Sequence, residues 1–504
     1  MRQRTTFIQK RGDAVDPVLL RVSGATLVGP EIQARREDRL SLALDELPPE
    51  LQSLLRDVGQ FSITWSASRY HDAGEPWAAR VPPGLHVFYT PGTGKAKDGR
   101  APCEFLQAAF GNVSCASLEE SFTAVGQASS SHPTALQYFH PLRSLRQFTK
   151  FVRATACRPG DEGCASQVER LDGAVGLELL YEGSSQTLRV WARWPYQEQS
   201  LRMASPRFRT EIGVLAEDTP PNLEPHEIGM SGVLTVLNPD SAPSPTLFSV
   251  PSRHRRARGR FSARFSTPTG LHPTLHLELH AVEEPWEDAG CALHSYLTLP
   301  RSVFPDKYQL ADELFLASQN LSALRYVSQP VDLEAPEYVM KLWGSALLLE
   351  LAPPPSPARA GQPWSVDIPL HLRYLSPSPG GYREIEVPYP AVFWACESAA
   401  ATDFATNPFD QVNVGYDALF DSQTAFWHVD PHPEDGSHLV STIPVPVLDL
   451  EKSQWISQGT TAAILAGFVW IVWKLLRGYG KSKNKNKETP REGNQTTEEA
   501  KKRR

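Results

Sequence analysis

The sequence is first informative in what it lacks. The 504 residues open with MRQRTTFIQKRGDA, which carries charge but no apolar stretch of about seven residues, so no cleavable secretory signal is visible there. Also missing are a G-x-S-x-G nucleophile elbow, a P-loop and a G-x-G-x-x-G turn after a strand, which excludes the readily recognised hydrolase and nucleotide-binding signatures. Positive charge is in deficit: 50 Lys and Arg against 57 Asp and Glu leave a net charge of −7 even though the tail is basic. The large N-terminal part is therefore acidic, and no nucleic acid is expected as a partner. Cysteine is scarce too, since six in a chain of this length do not make a disulfide scaffold.

What is present starts with proline. Its 44 residues, about 9% against a usual 5% or so, disfavour long helices and suit short strands joined by turns. One long apolar run stands apart, Ser453 to Trp473, 21 residues without a charge. As a helix it spans roughly 31 Å, the thickness of a bilayer's hydrocarbon core. Trp455 lies at one end, Trp470 and Trp473 at the other, with Lys474 and Arg477 just beyond, as interfacial anchors do. Ala463, Ala466 and Gly467 offer small side chains for close approach to another membrane helix, although plain lipid contact accounts for the stretch equally well.

Lys and Arg resist translocation, and Lys474, Arg477, Lys481, Lys483, Lys485, Lys487 and Arg491 follow the span while only Lys452 lies close before it. The tail is thus expected in the cytoplasm and the bulk of the chain in a lumen. The missing signal favours the opposite, a tail-anchored topology with the bulk in the cytosol. The terminal KKRR places Lys501 and Lys502 where dilysine signals for retrieval to the endoplasmic reticulum have them; the plainer reading is a solvated charge run. All six cysteines precede the span, which fits an oxidising compartment. Cys157 and Cys164 bracket the turn-rich RPGDEG and are disulfide candidates, as are Cys291 and Cys396, which pair only across a fold. Asn112 in NVS and Asn320 in NLS are candidate glycosylation sites, whereas Asn494 in NQT falls on the tail side and is expected bare.

The segmentation expected is an N-terminal lumenal region over 1–237, α+β or mainly β; a linker over 238–260; a β-sandwich-like lumenal domain over 261–452; a transmembrane helix over 453–476; and a basic cytoplasmic tail over 477–504. In the first region EIQARREDRLSLAL and PPELQSLLRDVG read as amphipathic helices, and QFSITW, GLHVFYTP and LELLYEGSSQTLRVWARW as strands. The linker reading rests on the Pro- and Ser-rich NPDSAPSPTLFSVPS followed by RHRRARGR. Beyond it, LHLELHAVEE, CALHSYLTLP, SALLLELAP, WSVDIPLHLRYL and REIEVPYPAVFWAC are strand-like runs separated by Pro or Gly, the spacing of a sandwich. In IPLHLRY, Leu370, Leu372 and Tyr374 are expected to face one way and His371 and Arg373 the other.

Two motifs hint at chemistry. His272, His276 and His280 resemble a metal cluster on a helix, but Leu275, Leu277 and Leu279 alternate with the polar residues as in a strand, where positions four apart lie about 13 Å apart, too far for one metal ion. Asp449 and Glu451 in DLE faintly resemble the paired acids that hold a nucleotide-sugar's metal, in a pattern too short to be specific. Neither gives a catalytic or metal site.

LTLPRSVFPDKYQL (297–310), DLEAPEYVMKLWGSALLLEL (332–351) and IPLHLRYLSPSPGGYREIEVPYPAVFWAC (368–396), followed by one C-terminal span, resemble the PIG-X family. The opening segment and PPGLHVFYTPG are similar to its longer fungal form. The resemblance implies a non-catalytic accessory subunit of glycosylphosphatidylinositol (GPI) mannosyltransferase I in the endoplasmic reticulum, without a cofactor. It would stabilise the polytopic PIG-M-type catalytic subunit, which transfers the first mannose from dolichol-phosphate-mannose to a glucosaminyl-phosphatidylinositol lipid. A wider chaperone-like role in folding secretory proteins is implied as well. The alternative carried beside it is a membrane-anchored ectodomain enzyme acting on glycans or lipids.

Overall fold

A computed structural model of the chain describes residues 1–71, 79–92, 99–125, 135–204, 209–238, 241–267, 269–286, 290–328, 332–353, 363–398, 402–434 and 436–485. It is mainly β, with one long C-terminal helix. Residues Met1–Leu375 and Glu384–Val445 form one compact unit; Ser376–Arg383 and the chain from Pro446 onward form a second.

Two large sheets dominate the first unit, beside smaller two- and three-stranded ones. The larger has eleven strands, in spatial order Ser244–Pro251, Glu227–Val236, Thr210–Asp218, Arg2–Gln9, Glu31–Ala43, Thr187–Ser200, Gly176–Glu182, Val58–Ser66, Gly84–Pro91, Ala135–His140 and Thr123–Val125. The smaller has eight, in order Leu321–Val327, Gly344–Leu351, Ala292–Pro300, Ala391–Glu397, Thr424–Pro431, His254–Phe265, Thr274–His280 and Trp364–Pro369. Each contains one parallel pair, Arg2–Gln9 with Thr210–Asp218 and His254–Phe265 with Thr424–Pro431.

The central strands of the eight-stranded sheet are covered on both faces. Along Ala292–Pro300, Tyr296 joins one apolar cluster and its neighbour Leu297 another, and both are fully buried. Phe393 and Trp394 divide in the same way. One cluster mixes this sheet's Tyr296, Leu348, Phe393 and Phe426 with Ile63, Trp65, Val87 and Tyr138 of the larger sheet and Leu106 and Phe110 of the Ala101–Phe110 helix. Against the other face lie Leu310, Ile385, Val387, Ile443 and Val445. Burial on two sides is why SALLLEL and AVFWAC read as unbroken apolar runs rather than as alternation.

Most sequence expectations for individual elements coincide with the structure, and three do not. EIQARREDRLSLAL is the strand Glu31–Ala43 rather than a helix, hydrogen-bonded to Arg2–Gln9 on one side and Thr187–Ser200 on the other. Its charges are paired along the strand at two-residue spacing, Arg35 with Glu37 and Arg36 with Asp38, so a pattern that looks like a solvated helical face belongs to a sheet. The 238–260 segment is not an exposed connector: it contributes the edge strand of the larger sheet, Ser244–Pro251, and after Ser252 and Arg253 the chain enters the smaller sheet as His254–Phe265. Two residues separate the sheets where a linker was expected. In IPLHLRY the alternation breaks after Leu372, because the strand ends there; Arg373 is buried and Tyr374 is 69% exposed. PPELQSLL, by contrast, is helical over Pro49–Leu55.

The structure joins Cys157 to Cys164 and Cys291 to Cys396, and also Cys103 to Cys115, a pair the sequence reading did not single out. The sequence separations are 7 and 105 for the first two. By chain entropy the longer loop is worth about 2.4 kcal/mol more stabilisation than the shorter. Cys291→Ser with Cys396→Ser is therefore expected to lower the denaturant midpoint of the detergent-purified chain well beyond Cys157→Ser with Cys164→Ser; equal midpoints would contradict this.

Candidate functional site

Among the described residues, two features with functional character are a bare apolar helix and a polar seam inside the β unit. The helix runs Ser453–Lys485, and Leu450–Tyr479, which takes in the turn before it, is long and apolar enough to cross a bilayer, with none of its most apolar window buried in the protein. This fits a single-pass membrane protein. Ile464, Phe468, Trp470 and Ile471 are all more than half exposed. At its C-terminal end Lys474 lies 5.6 Å from the Trp470 ring and 5.7 Å from that of Trp473, and Arg477 lies 4.2 Å from the Trp473 ring. Stacked cations and indoles of this kind suit the boundary between hydrocarbon and water.

The seam lies between the two sheets. Arg39 stacks on Trp191 at 3.6 Å and lies 3.6 Å from Glu37, which also pairs with Arg35. Burial lowers the Arg39 guanidinium to about 10 and lowers Arg193, while it raises the Glu178 carboxyl. From the smaller sheet, His254 Nδ1 and His428 Nε2 meet at 3.0 Å with the rings stacked, both fully enclosed. Burial drives His254 down to about 3 and His428 well below the ordinary imidazole range, so both are neutral and one donates to the other. The Tyr416 hydroxyl donates to the Arg80 carbonyl at 2.9 Å, and the Arg80 guanidinium donates to Asp430 at 2.8 Å. Asp410 accepts from the Arg253 backbone N–H at 2.6 Å and the Ser252 hydroxyl at 3.1 Å, yet burial still raises it to about 7. A cavity of about 70 Å³ lies among Arg35, Glu37, Arg80, Arg193, His254 and Asp410. It is room for a few waters bridging buried polar atoms, and nothing in the arrangement activates a nucleophile.

Further along the same contact, Gln137 Nε2 donates to the Tyr296 hydroxyl at 3.0 Å, Trp343 Nε1 to the Gln137 carbonyl at 3.0 Å and the Tyr326 hydroxyl to the Ala124 carbonyl at 3.0 Å. The seam thus reads as a latch between sheets.

The motifs that hinted at chemistry take structural parts. His276 and His280 lie on the strand Thr274–His280 and turn to separate acids, Asp367 at 2.7 Å and Glu278 at 3.2 Å, while His272 meets His371. Asp449 caps the turn Leu450–Lys452 through the Glu451 N–H, so the DLE acids serve a helix start. Among the described residues no group of three or more His, Cys, Asp or Glu is placed to hold a metal. Asn112 stands exposed in a bend, whereas Asn320 is half-buried and its amide donates to the Ser365 carbonyl at 2.8 Å. Asn494, Lys501 and Lys502 lie outside the described residues.

Comparison with known proteins gives this architecture a family. The profile described as PIG-X / PBN1 matches residues 268–476, which take in most of the smaller sheet and the span. "Protein pbn1" of Neurospora crassa is 51% identical over 96% of this chain and 97% of its own length. The chain belongs to the PIG-X/PBN1 family. "Protein PBN1" of Gibberella zeae (43% identical, 94% of this chain and 95% of its own) and "Protein pbn1" of Emericella nidulans (39%, 94% and 95%) are similar from end to end. PIG-X/PBN1 membership supports a role related to GPI-anchor biosynthesis.

In this PIG-X/PBN1 chain the buried histidines set an acid limit. They are neutral when folded and protonate near 6.5 when unfolded, so the stability they carry is present above that value and is lost as pH falls below it. Asp410, raised in the fold, acts in the opposite sense: its contribution is greatest below about 4 and is lost as pH rises through 7. Melting followed from pH 7.5 to 5 is expected to show a falling midpoint, with a shallower slope in His428→Phe and a steeper one in Asp410→Asn. Parallel slopes in all three would refute the assignment.

Proposed function

We propose that the chain is the non-catalytic, chaperone-like subunit of GPI mannosyltransferase I, holding the multi-span catalytic subunit of PIG-M type in a stable state in the endoplasmic reticulum membrane during the first mannose transfer. The carrying observation is membership of the PIG-X/PBN1 family along nearly the whole length, in a chain that joins a large β unit to one membrane-type helix. The β unit has the character of a binding body: its interior charges close on one another and its candidate motifs cap turns and pair across strands. Help to other secretory clients belongs to the same reading.

The large unit is lumenal in this proposal and the tail cytoplasmic. Pairing of all six cysteines in the β unit supports an oxidising side, and the Lys and Arg residues that follow the span support a cytoplasmic end. Asn112 carries a glycan without disturbing the fold, while one on Asn320 would displace its bond to Ser365. Lys501 and Lys502 serve as the retrieval signal.

Depleting the chain is expected to lower the abundance of the catalytic subunit severalfold along with activity; normal abundance with lost activity would sink the stabilising role. Asn112→Gln is expected to abolish an endoglycosidase-sensitive mobility shift that Asn320→Gln leaves intact. Digestion of the β unit by protease added to sealed microsomes would overturn the orientation.

A further inference from the structure

Inside the second unit a short loop is tied to the root of the apolar helix. Residues 376–382, SPSPGGY, carry no charge and turn at Gly380 and Gly381, whose φ values of 79° and 75° suit glycine. Three backbone hydrogen bonds hold the loop to 447–450: the Ser378 N–H donates to the Leu448 carbonyl at 3.1 Å, the Leu450 N–H to the Ser378 carbonyl at 3.2 Å and the Val447 N–H to the Gly381 carbonyl at 2.9 Å. Gly381 lies so close to the same segment that a Cβ on it would stand 3.5 Å from that of Asp449. The Ser378 hydroxyl closes the loop by donating to the Tyr382 carbonyl at 2.6 Å. Leu450 is the first residue of the stretch long and apolar enough to cross a bilayer, so the loop is bonded to the start of that stretch itself.

These bonds set the depth of the loop. Asp449 caps the turn Leu450–Lys452, and the helix begins at Ser453. At about 2 Å per residue in such a turn, Asp449 stands no more than roughly 8 Å before Ser453. The uncharged run from Ser453 to Trp473 matches the hydrocarbon core of about 30 Å, and the headgroup layer adds roughly 5–8 Å on each side. When the helix spans, loop and turn fall within that layer.

Their side chains suit the place. Tyr382 is 65% exposed, Leu448 42%, Leu450 47% and Trp455 78%. Tyrosine and tryptophan are the residue types enriched where hydrocarbon meets headgroups. The ionisable groups of the loop's end and the turn balance, Arg383 and Lys452 against Asp449 and Glu451, with Lys452 Nζ 3.5 Å from the Asp449 carboxylate. Attraction to anionic lipid is therefore not the drive; aromatic and apolar insertion among headgroups that carry both charges is.

We infer that residues 376–382 form a collar at the mouth of the span, which seats Tyr382, together with Leu448 and Leu450, in the headgroup layer of a zwitterionic bilayer. The inference rests on the span and holds whichever side of the membrane the collar occupies, so protease protection and the experiment below fail independently.

The test replaces Tyr382 of the full chain by a fluorescent coumarin amino acid and reconstitutes the protein in phosphatidylcholine vesicles doped with phosphatidylcholine that bears a nitroxide quencher either on the headgroup or deep in the acyl chain. Phe468, 63% exposed within the span, carries the same probe in a second chain. At position 382 the headgroup nitroxide is expected to quench at least about twofold more than the deep one, and at position 468 the order is expected to reverse. Quenching at Phe468 with none at Tyr382 would overturn the collar and leave the span standing, and stronger quenching at Tyr382 by the deep nitroxide would overturn the headgroup seat. No quenching at either position would remove the span and the collar with it. Tyr382 is exposed, so the probe leaves the fold intact, and unchanged melting of the labelled chain checks this.

Discussion

Everything in the first unit depends on one constraint, that the central strands of the eight-stranded sheet have no solvent face. Tyr296 and Leu297, or Phe393 and Trp394, are adjacent residues pointing in opposite directions, and all four are buried. A sheet of this kind cannot stand alone, because the face carrying Tyr296, Leu348, Phe393 and Phe426 would meet water without the strands and helices of the larger sheet. The N-terminal half and the C-terminal half are therefore obligate halves of one body. The short passage through Ser252 and Arg253 expresses the same fact: Arg253 is itself spent on hydrogen bonds to the Thr424 and Asp421 carbonyls, and its backbone holds Asp410.

The polar seam is the cost of that arrangement and also its source of register. Guanidiniums, carboxylates and imidazoles enclosed at the contact are costly unless matched, and each match fixes one segment against another: Arg39 on Trp191 and His254 on His428 between neighbouring strands, and the loop residue Arg80 on Asp430. An apolar contact of equal area would tolerate a slip; this one does not, since a shift by one residue would leave several charges unpaired.

How much of this was legible in the sequence follows from where each signal lives. The span, the helix from Pro49 and strands such as Thr274–His280 were legible because period and punctuation are local: Leu275, Leu277 and Leu279 alternate with polar neighbours whatever else the chain does. The strand Glu31–Ala43 was not, since its charges pair with one another at two-residue spacing and Arg39 stacks on Trp191, more than 150 residues away, whereas a lone chain of Arg, Glu and Asp looks solvated. Ser244–Pro251 was hidden by its prolines, which an edge strand accepts and a central one does not. Arg373 deceived by strand arithmetic: its side chain answers to carbonyls at 332 and 335, nearly forty residues back. The latch itself left no local mark, for His254 and His428 are 174 positions apart and each alone is an ordinary histidine.

The order of strands carries a consequence for how the protein is made. Thr424–Pro431 lies in the middle of the smaller sheet, between Ala391–Glu397 and His254–Phe265, yet it is the last of the eight to leave the ribosome. Until it arrives, the sheet exists as two unfinished halves whose inner edges are unpaired and sticky. Only some twenty residues then separate it from the apolar helix, so the globule's last inner strand leaves the ribosome just ahead of that helix.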